Sequence, residues 1–180
     1  GCRGPRRPPA RRLIRRPAHR RESFGPGFEQ ICSAVRRIAA RGGVTVIYPV
    51  HPNPNVRETV NRLLRDVPGV ILLEPLEYVP FVDLMRRADI LLTDSGGVQE
   101  EGPSLGKPIL VMRDKTERQE AVEAGLAQLT GPHADRIVEA VAATLEKLKN
   151  TPPPAAVDNP FGDGRSSARI LDAIASFQSK

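Results

Sequence analysis

The apolar positions of this chain fall into short continuous runs separated by segments with helical spacing. Val44–Tyr48, Val70–Leu73, Asp89–Thr93, Ile109–Met112 and Ala127–Leu129 read as strands, and such unbroken runs suit strands buried on both faces. Between them the apolar residues recur every three or four positions. Ile31, Val35 and Ile38 predict a helix over 28–40, stopped by Gly42-Gly43. Val56, Val60, Leu63 and Leu64 predict a helix running to Asp66, with Asn55 as its N-cap after a proline-stiffened loop from His51. Phe81, Leu84, Met85 and Ala88 mark the inward side of a short helix ending at Arg87. Glu117–Ala124, Asp135–Lys149 and Arg165–Phe177 complete the helical set, and Thr151-Pro152-Pro153-Pro154 separates the last two.

Strands that alternate with amphipathic helices build βαβ units. The predicted fold class is therefore α/β, a Rossmann-like parallel sheet with helices on both faces. Ligands of such sheets bind where the strands end. Four polar segments follow strands: His51–Asn55, Glu74–Pro80, Asp94–Gly97 and Arg113–Arg118. All four should open on one edge.

The stretch from Ile90 to Pro108 concentrates this pattern. A buried strand runs into Asp94-Ser95-Gly96-Gly97, a helical segment follows, and Gly106-Lys107-Pro108 turns the chain into the next strand. A helix N-terminus offers unpaired N–H groups to an anion. Gly96 and Gly97 would let a ligand oxygen reach the backbone, and Ser95 adds a hydroxyl. Glu101 lies one turn further in, placed to accept from sugar hydroxyls. Paired glycines at a strand-to-helix turn also serve as turn chemistry alone, and the residues by themselves leave both readings open.

The charge changes this picture less than its size suggests. The 180-residue chain has a net charge of +6, but residues 1–21 hold nine Arg and no acid, and without them residues 22–180 carry −3. The basic character belongs to an Arg/Pro-rich tail over residues 1–18, expected to be disordered, with the domain occupying 19–180. The tail has no aromatic residue to stack a base, so nucleic acid is not the expected partner. No run of 18 apolar residues is present, so no membrane partner is expected. Cys32 falls on the apolar side of its helix as an inert thiol, and a reducing cytoplasm suits the two cysteines.

Several nucleotide and catalytic motifs can be set aside. Gly102–Pro108 has three residues between its glycines, and Pro108 follows the lysine, so it is not a P-loop. There is no GxGxxG and no G-x-S-x-G elbow, and His19, His51 and His133 lack metal-ligand spacing.

Five collinear motifs then give the chain a likeness. His19-Arg20-Arg21-Glu22-Ser23-Phe24-Gly25, Tyr48-Pro49-Val50-His51-Pro52-Asn53-Pro54-Asn55-Val56-Arg57-Glu58 and Leu92-Thr93-Asp94-Ser95-Gly96-Gly97-Val98-Gln99-Glu100-Glu101 resemble the non-hydrolysing UDP-N-acetylglucosamine 2-epimerases. So do Val111-Met112-Arg113-Asp114 with Thr116-Glu117-Arg118, and Asn159-Pro160-Phe161-Gly162-Asp163-Gly164. The resemblance implies a GT-B-like fold of two Rossmann-like domains, of which this chain looks like the C-terminal one. It implies reversible conversion of UDP-N-acetylglucosamine to UDP-N-acetylmannosamine by elimination and re-addition of UDP, with no cofactor and no metal. It also implies homodimers for full-length members.

Site roles follow from the same resemblance. Ser95, Gly96 and Gly97 would bind the diphosphate, Glu101 the ribose hydroxyls, and Arg118 the nucleotide. Phe81 would border the uracil, His19 would be the catalytic histidine easing departure of UDP, and His51 would lie near an allosteric substrate site. The bland readings are core packing for Phe81, a surface ion pair for Arg118 and a loop cap for His51. A GT-B glycosyltransferase domain or a non-catalytic nucleotide-sugar-binding module is the alternative function.

Departures from the family pattern cluster before His19. The family has a strand there, whereas Arg12-Leu13-Ile14-Arg15-Arg16-Pro17-Ala18 carries charges and a proline, which suggests a frameshift or a joined fragment near residue 18. Gly102 stands where Ala is usual, a small expected loss of helix propensity. Gln119 stands for Pro and Asp158 for His. The carboxylates that move the C2 proton lie mainly in the family's N-terminal domain, so the isolated chain is expected to be inactive.

Overall fold

The apolar runs pair edge to edge into one six-stranded sheet, every pairing parallel. The computed structural model describes residues 11–16, 26–150 and 158–178. Its elements are β1 (Arg11–Arg16), α1 (Pro26–Ala40), β2 (Val44–Pro49), α2 (Pro54–Leu64), β3 (Val70–Leu73) and α3 (Tyr78–Arg87). There follow β4 (Ile90–Thr93), α4 (Gly96–Glu101), a 3₁₀ turn (Pro103–Leu105), β5 (Ile109–Val111) and α5 (Gln119–Glu123). β6 (Ala127–Leu129), α6 (Ala134–Asn150) and α7 (Ser166–Gln178) complete the chain. The strand order is β3-β2-β1-β4-β5-β6.

The expectation of an irregular tail over residues 1–18 is corrected for Arg11–Arg16. These residues form β1 in the middle of the sheet, with Leu13 in register with Val46 of β2 on one side and Ile90 of β4 on the other. The reason lies in the backbone. Strands β2 and β4 each present a row of N–H and C=O groups toward the gap, and a strand of almost any side-chain character satisfies both rows. Charge argued against a strand here, and hydrogen-bond supply outweighs it. Residue 17, the proline, falls after the last residue of β1. His19, Gly25 and the residues between lie outside the described residues.

Alternation along the strands feeds a core on each face. Ile90 and Leu92 of β4 join Val46 and Tyr48 of β2 against α1, α2 and α6. Leu91, Ile109 and Val111 face the other way, against Phe81 and Met85 of α3, Val98 of α4 and Ala121 of α5. Helices therefore cover both faces, as the period-3.6 segments require. Cys32 is buried in the first core. No helix among the described residues is long and apolar enough to cross a membrane.

Two helix starts differ from the sequence expectation. Asn53, and not Asn55, is the N-cap of α2: its side chain accepts from the Asn55 N–H at 3.0 Å. Pro54 occupies the first helical turn, where its missing N–H costs nothing. Helix α3 likewise begins at Tyr78, taking Pro80 into its first turn. At Pro54 proline opens a helix where the sequence suggests a stiff loop, and Pro80 lies in the first turn of a helix expected to start only at Phe81.

Gly102 also reverses an expectation. Its backbone is helical (φ −57°, ψ −38°), so conformation alone would favour Ala. A Cβ there would lie 2.7 Å from both Ile109 Cδ1 and the Val98 carbonyl oxygen. Gly102→Ala should therefore destabilise the domain by about 1–3 kcal/mol through overpacking, against a propensity gain of about 1 kcal/mol. Denaturant unfolding measures this, and adding Ile109→Val should recover part of the loss. A more stable Gly102→Ala protein would contradict the packing.

Helix α7 stands apart. All of its described side chains are exposed, including Ile170, Leu171, Ile174 and Phe177, the last at 83%. A 13-residue helix is marginal in water without a packed face. A chain ending at residue 165 should melt within about 2 °C of the full chain, whereas loss of even 1 kcal/mol of packing would lower Tm by about 2–8 °C. Differential scanning calorimetry of the two chains decides this.

Candidate functional site

The parallel register brings the ends of β2, β3, β4 and β5 to one edge, and the polar segments after them open there. The sharpest is the turn after β4. All four residues of β4 are buried, and so is Asp94 beyond it. Thr93 Oγ1 accepts from the Ser95 N–H at 2.9 Å and so bends the chain off the strand within two residues. Ser95 is the N-cap of α4 in extended conformation, yet its hydroxyl makes no capping hydrogen bond. Gly96 and Gly97 then open the helix, whose first N–H groups have no intrahelical acceptor.

Arg118 closes this turn from the other side. Its guanidinium lies across Gly96, with Cζ 3.0 Å from where a Cβ would stand, so any larger residue would make the guanidinium give way. Arg118 Nε donates to Glu100 Oε1 at 2.8 Å and Nη1 donates to Glu117 Oε2 at 2.8 Å. The hydrogen bond to Glu100 raises the Arg118 pKa above its ordinary value, opposed by partial burial. The ion-pair reading of Arg118 is thus correct, and the same pairing holds it over the glycine turn.

Glu101, one residue beyond Glu100, points to a different side. A Cβ on Gly97 would sit 3.8 Å from Glu101 Oε1 and 3.9 Å from Ser95 Oγ. The hydroxyl and the carboxylate therefore flank Gly97. Glu101 Oε2 is buried and has no hydrogen-bond partner among the described residues. A buried acceptor left unpaired costs about 1–3 kcal/mol, which makes it a receptive position for a hydroxyl donor.

Three residues that no sequence motif had assigned a role hold the cluster together. Gln99 and Thr116 are buried and hydrogen-bonded to each other at 2.6 Å. Asn159 donates through Nδ2 to the Glu100 carbonyl at 2.9 Å and to Ser104 Oγ at 2.6 Å, and its Oδ1 accepts from the Phe161 N–H. The available signals were positional: Gln99 lies four residues after Ser95 on the inward side of α4, and Asn159 opens an Asx turn.

His51 and Phe81 form a second group on the same edge. They line a cleft of 210 Å³ with Pro49, Pro52, Leu76 and Tyr78. Phe81 is only 4% exposed and packs with Met85, so core packing describes most of its surface. His51 Nδ1 accepts from the Asn53 N–H at 3.1 Å, the loop-capping role, which also fixes that nitrogen as an acceptor. Ser95, Gly96, Gly97, Glu101 and Arg118 are brought together at the first group. His19 lies outside the described residues.

The two glycines should respond differently to substitution. Gly96→Ala makes the Arg118 guanidinium give by a few tenths of an ångström, because the contact is with a flexible side chain and not with backbone. Gly97→Ala meets only ordinary contacts. In the ligand-free protein Gly96→Ala should shift the Arg118 Nε–H resonance in a ¹⁵N NMR spectrum, and Gly97→Ala should leave it in place. Both should keep fold stability within about 1 kcal/mol.

Residues 7–175 match the family model described as UDP-N-acetylglucosamine 2-epimerase. The UDP-N-acetylglucosamine 2-epimerase of Escherichia coli K12 is 53% identical over 167 residues, 92% of this chain and 44% of the relative. The crystal structure of UDP-GlcNAc 2-epimerase from Neisseria meningitidis bound to UDP-GlcNAc superposes with a TM-score of 0.86 at 41% identity, over 93% of this chain and 45% of that one. The S. aureus MnaA–UDP co-structure gives a TM-score of 0.87 at 36% identity, over 95% of this chain and 47% of that one. The chain thus spans a little under half the length of the proteins it matches, and its fold corresponds to one half of their GT-B-like architecture.

Proposed function

The chain belongs to the UDP-N-acetylglucosamine 2-epimerase family, and on that premise we propose that it supplies the UDP-binding half of an enzyme interconverting UDP-N-acetylglucosamine and UDP-N-acetylmannosamine. The observation that carries the reading is the convergence of Ser95 Oγ, Glu101 Oε1 and the Arg118 guanidinium on the Gly96–Gly97 turn. The relatives solved with UDP-GlcNAc and with UDP support a nucleotide ligand for this fold.

In this reading the diphosphate sits on the Gly96 and Gly97 N–H groups, with the Ser95 hydroxyl and the Arg118 guanidinium as further donors. Glu101 accepts from the ribose, its unpaired Oε2 taking one hydroxyl while Oε1 takes the other. The uracil lies toward the cleft of His51 and Phe81. UDP leaves with the C1–O bond electron pair as the C2 proton is removed, giving a glycal. UDP then returns to C1 as a proton is delivered to the opposite face of C2. The donors around Gly96–Gly97 stabilise the departing diphosphate, which is where charge accumulates. His19 assists that departure by hydrogen bonding. A cytoplasmic location and a homodimer of the longer protein belong to the same reading.

Removing and returning the C2 proton needs acid and base groups held within reach of C2. The resemblance assigns those carboxylates mainly to the other half of the family's fold. Residues 1–180 alone should therefore bind UDP and give no epimerase turnover. Isothermal titration with UDP and a coupled assay for UDP-N-acetylmannosamine test the two halves of this statement. Glu101→Gln should weaken UDP by roughly ten- to a hundredfold, the range of a hydrogen bond to a charged group. Absence of UDP binding would sink the site, and sustained turnover by the purified chain would sink the division of labour between the two halves.

A further inference from the structure

A buried polar relay connects the two walls of the anion pocket. Gln99 Nε2 donates to the Ser95 carbonyl at 3.2 Å. Gln99 Oε1 accepts from the Thr116 hydroxyl at 2.6 Å. Thr116 Oγ1 in turn accepts from the Arg118 N–H at 3.1 Å. Gln99 is fully buried and Thr116 is 8% exposed. The hydroxyl donates once and accepts once, and the amide is oriented by a carbonyl on one side and a donor on the other, so the relay is self-consistent.

Such an arrangement is unnecessary for packing, since a Leu or Met and a Val would fill the same space without desolvating polar atoms. Both ends of the relay instead terminate on backbone atoms of site residues: Ser95 on the glycine turn and Arg118 on the facing loop. Another tie between these walls is the ion pair from Arg118 to Glu100, with side chains 28% and 41% exposed. That partly solvated ion pair orients the side chain and is screened by water, whereas the buried relay ties the backbone of the Arg118 loop to the turn.

We propose that Gln99 and Thr116 are positioning residues: the buried relay locks the Arg118 loop to the Ser95–Gly97 turn, so that arginine and turn meet a bound diphosphate as one rigid unit. The inference rests on the reading of this turn as the UDP site, and its first test needs no ligand.

In the unmodified 180-residue chain, hydrogen exchange followed by NMR should show the Gln99 side-chain amide and the Arg118 backbone N–H opening with the same protection. Protection factors differing by more than about tenfold, an opening difference of about 1.4 kcal/mol, would overturn the proposal. Thr116→Val, which keeps the shape and removes the hydroxyl, should shift the Ser95–Gly97 amides and the Arg118 Nε–H, and Thr116→Ser should restore them. Shifts confined to the immediate neighbours of residue 116 would also overturn it. The exchange comparison stands without any substitution should Thr116→Val fail to fold.

With UDP, Thr116→Val should lose about tenfold in affinity, the scale of one hydrogen bond, and Thr116→Ser should stay within about twofold. In an Arg118→Ala background the same substitution should lose little more. Unchanged UDP affinity in Thr116→Val would count against the relay. Absence of UDP binding by the unmodified chain would count against the UDP reading, and the exchange comparison would still decide the relay.

Discussion

Burial of β4 on both faces and both edges is the constraint from which the site follows. Strands β1 and β5 pair with it on either side, and the two cores cover its faces. The chain can leave such a strand only at its end, and it must do so sharply. The Thr93 hydroxyl performs that turn by taking the Ser95 N–H. Most of the site lies within eight residues of this bond: the Ser95 hydroxyl, the two glycines, and the two carboxylates one helical turn beyond, with Arg118 brought in from the facing loop. A looser exit would spread the same side chains over a surface.

The turn, its glycines and the strands on either side were legible in the sequence because each rests on local chemistry. An unbroken apolar run reads as a doubly covered strand, and Gly96-Gly97 reads as close backbone approach. The structure adds that Gly96 leaves room for Arg118, 22 positions away, a reason that no local pattern contains. β1 was illegible for the opposite reason. Its Arg-rich composition points away from a sheet interior, and what places it there is supplied by β2 and β4. Pro54 was read as part of a stiff loop because proline stops a helix from within yet starts one at its first turn, and only the hydrogen-bond pattern separates the two cases. At Gly102 propensity favours Ala as the sequence suggests, while the space is set by Ile109 and the Val98 carbonyl and favours Gly.

The adjacent acids Glu100 and Glu101 show how one helix divides labour. Successive residues on a helix diverge by about 100°, so two neighbouring carboxylates cannot address the same group. Glu100 takes Arg118, and its carbonyl takes Asn159. Glu101 is left facing Gly97 and Ser95. The first carboxylate thus builds the wall and the second is the one available to a ligand.

This division has an electrostatic consequence. Arg118 is paired with the carboxylates of Glu100 and Glu117, so its charge is largely balanced before any ligand arrives. At the proposed UDP site, a diphosphate would meet an arginine whose charge is already shared, so the backbone N–H groups of the turn would carry much of the contact. Donors held in geometry discriminate by shape, and they reward a ligand that also satisfies Glu101. A bare phosphate leaves the Glu101 oxygen buried and unpaired, whereas a nucleoside diphosphate can meet both requirements at once.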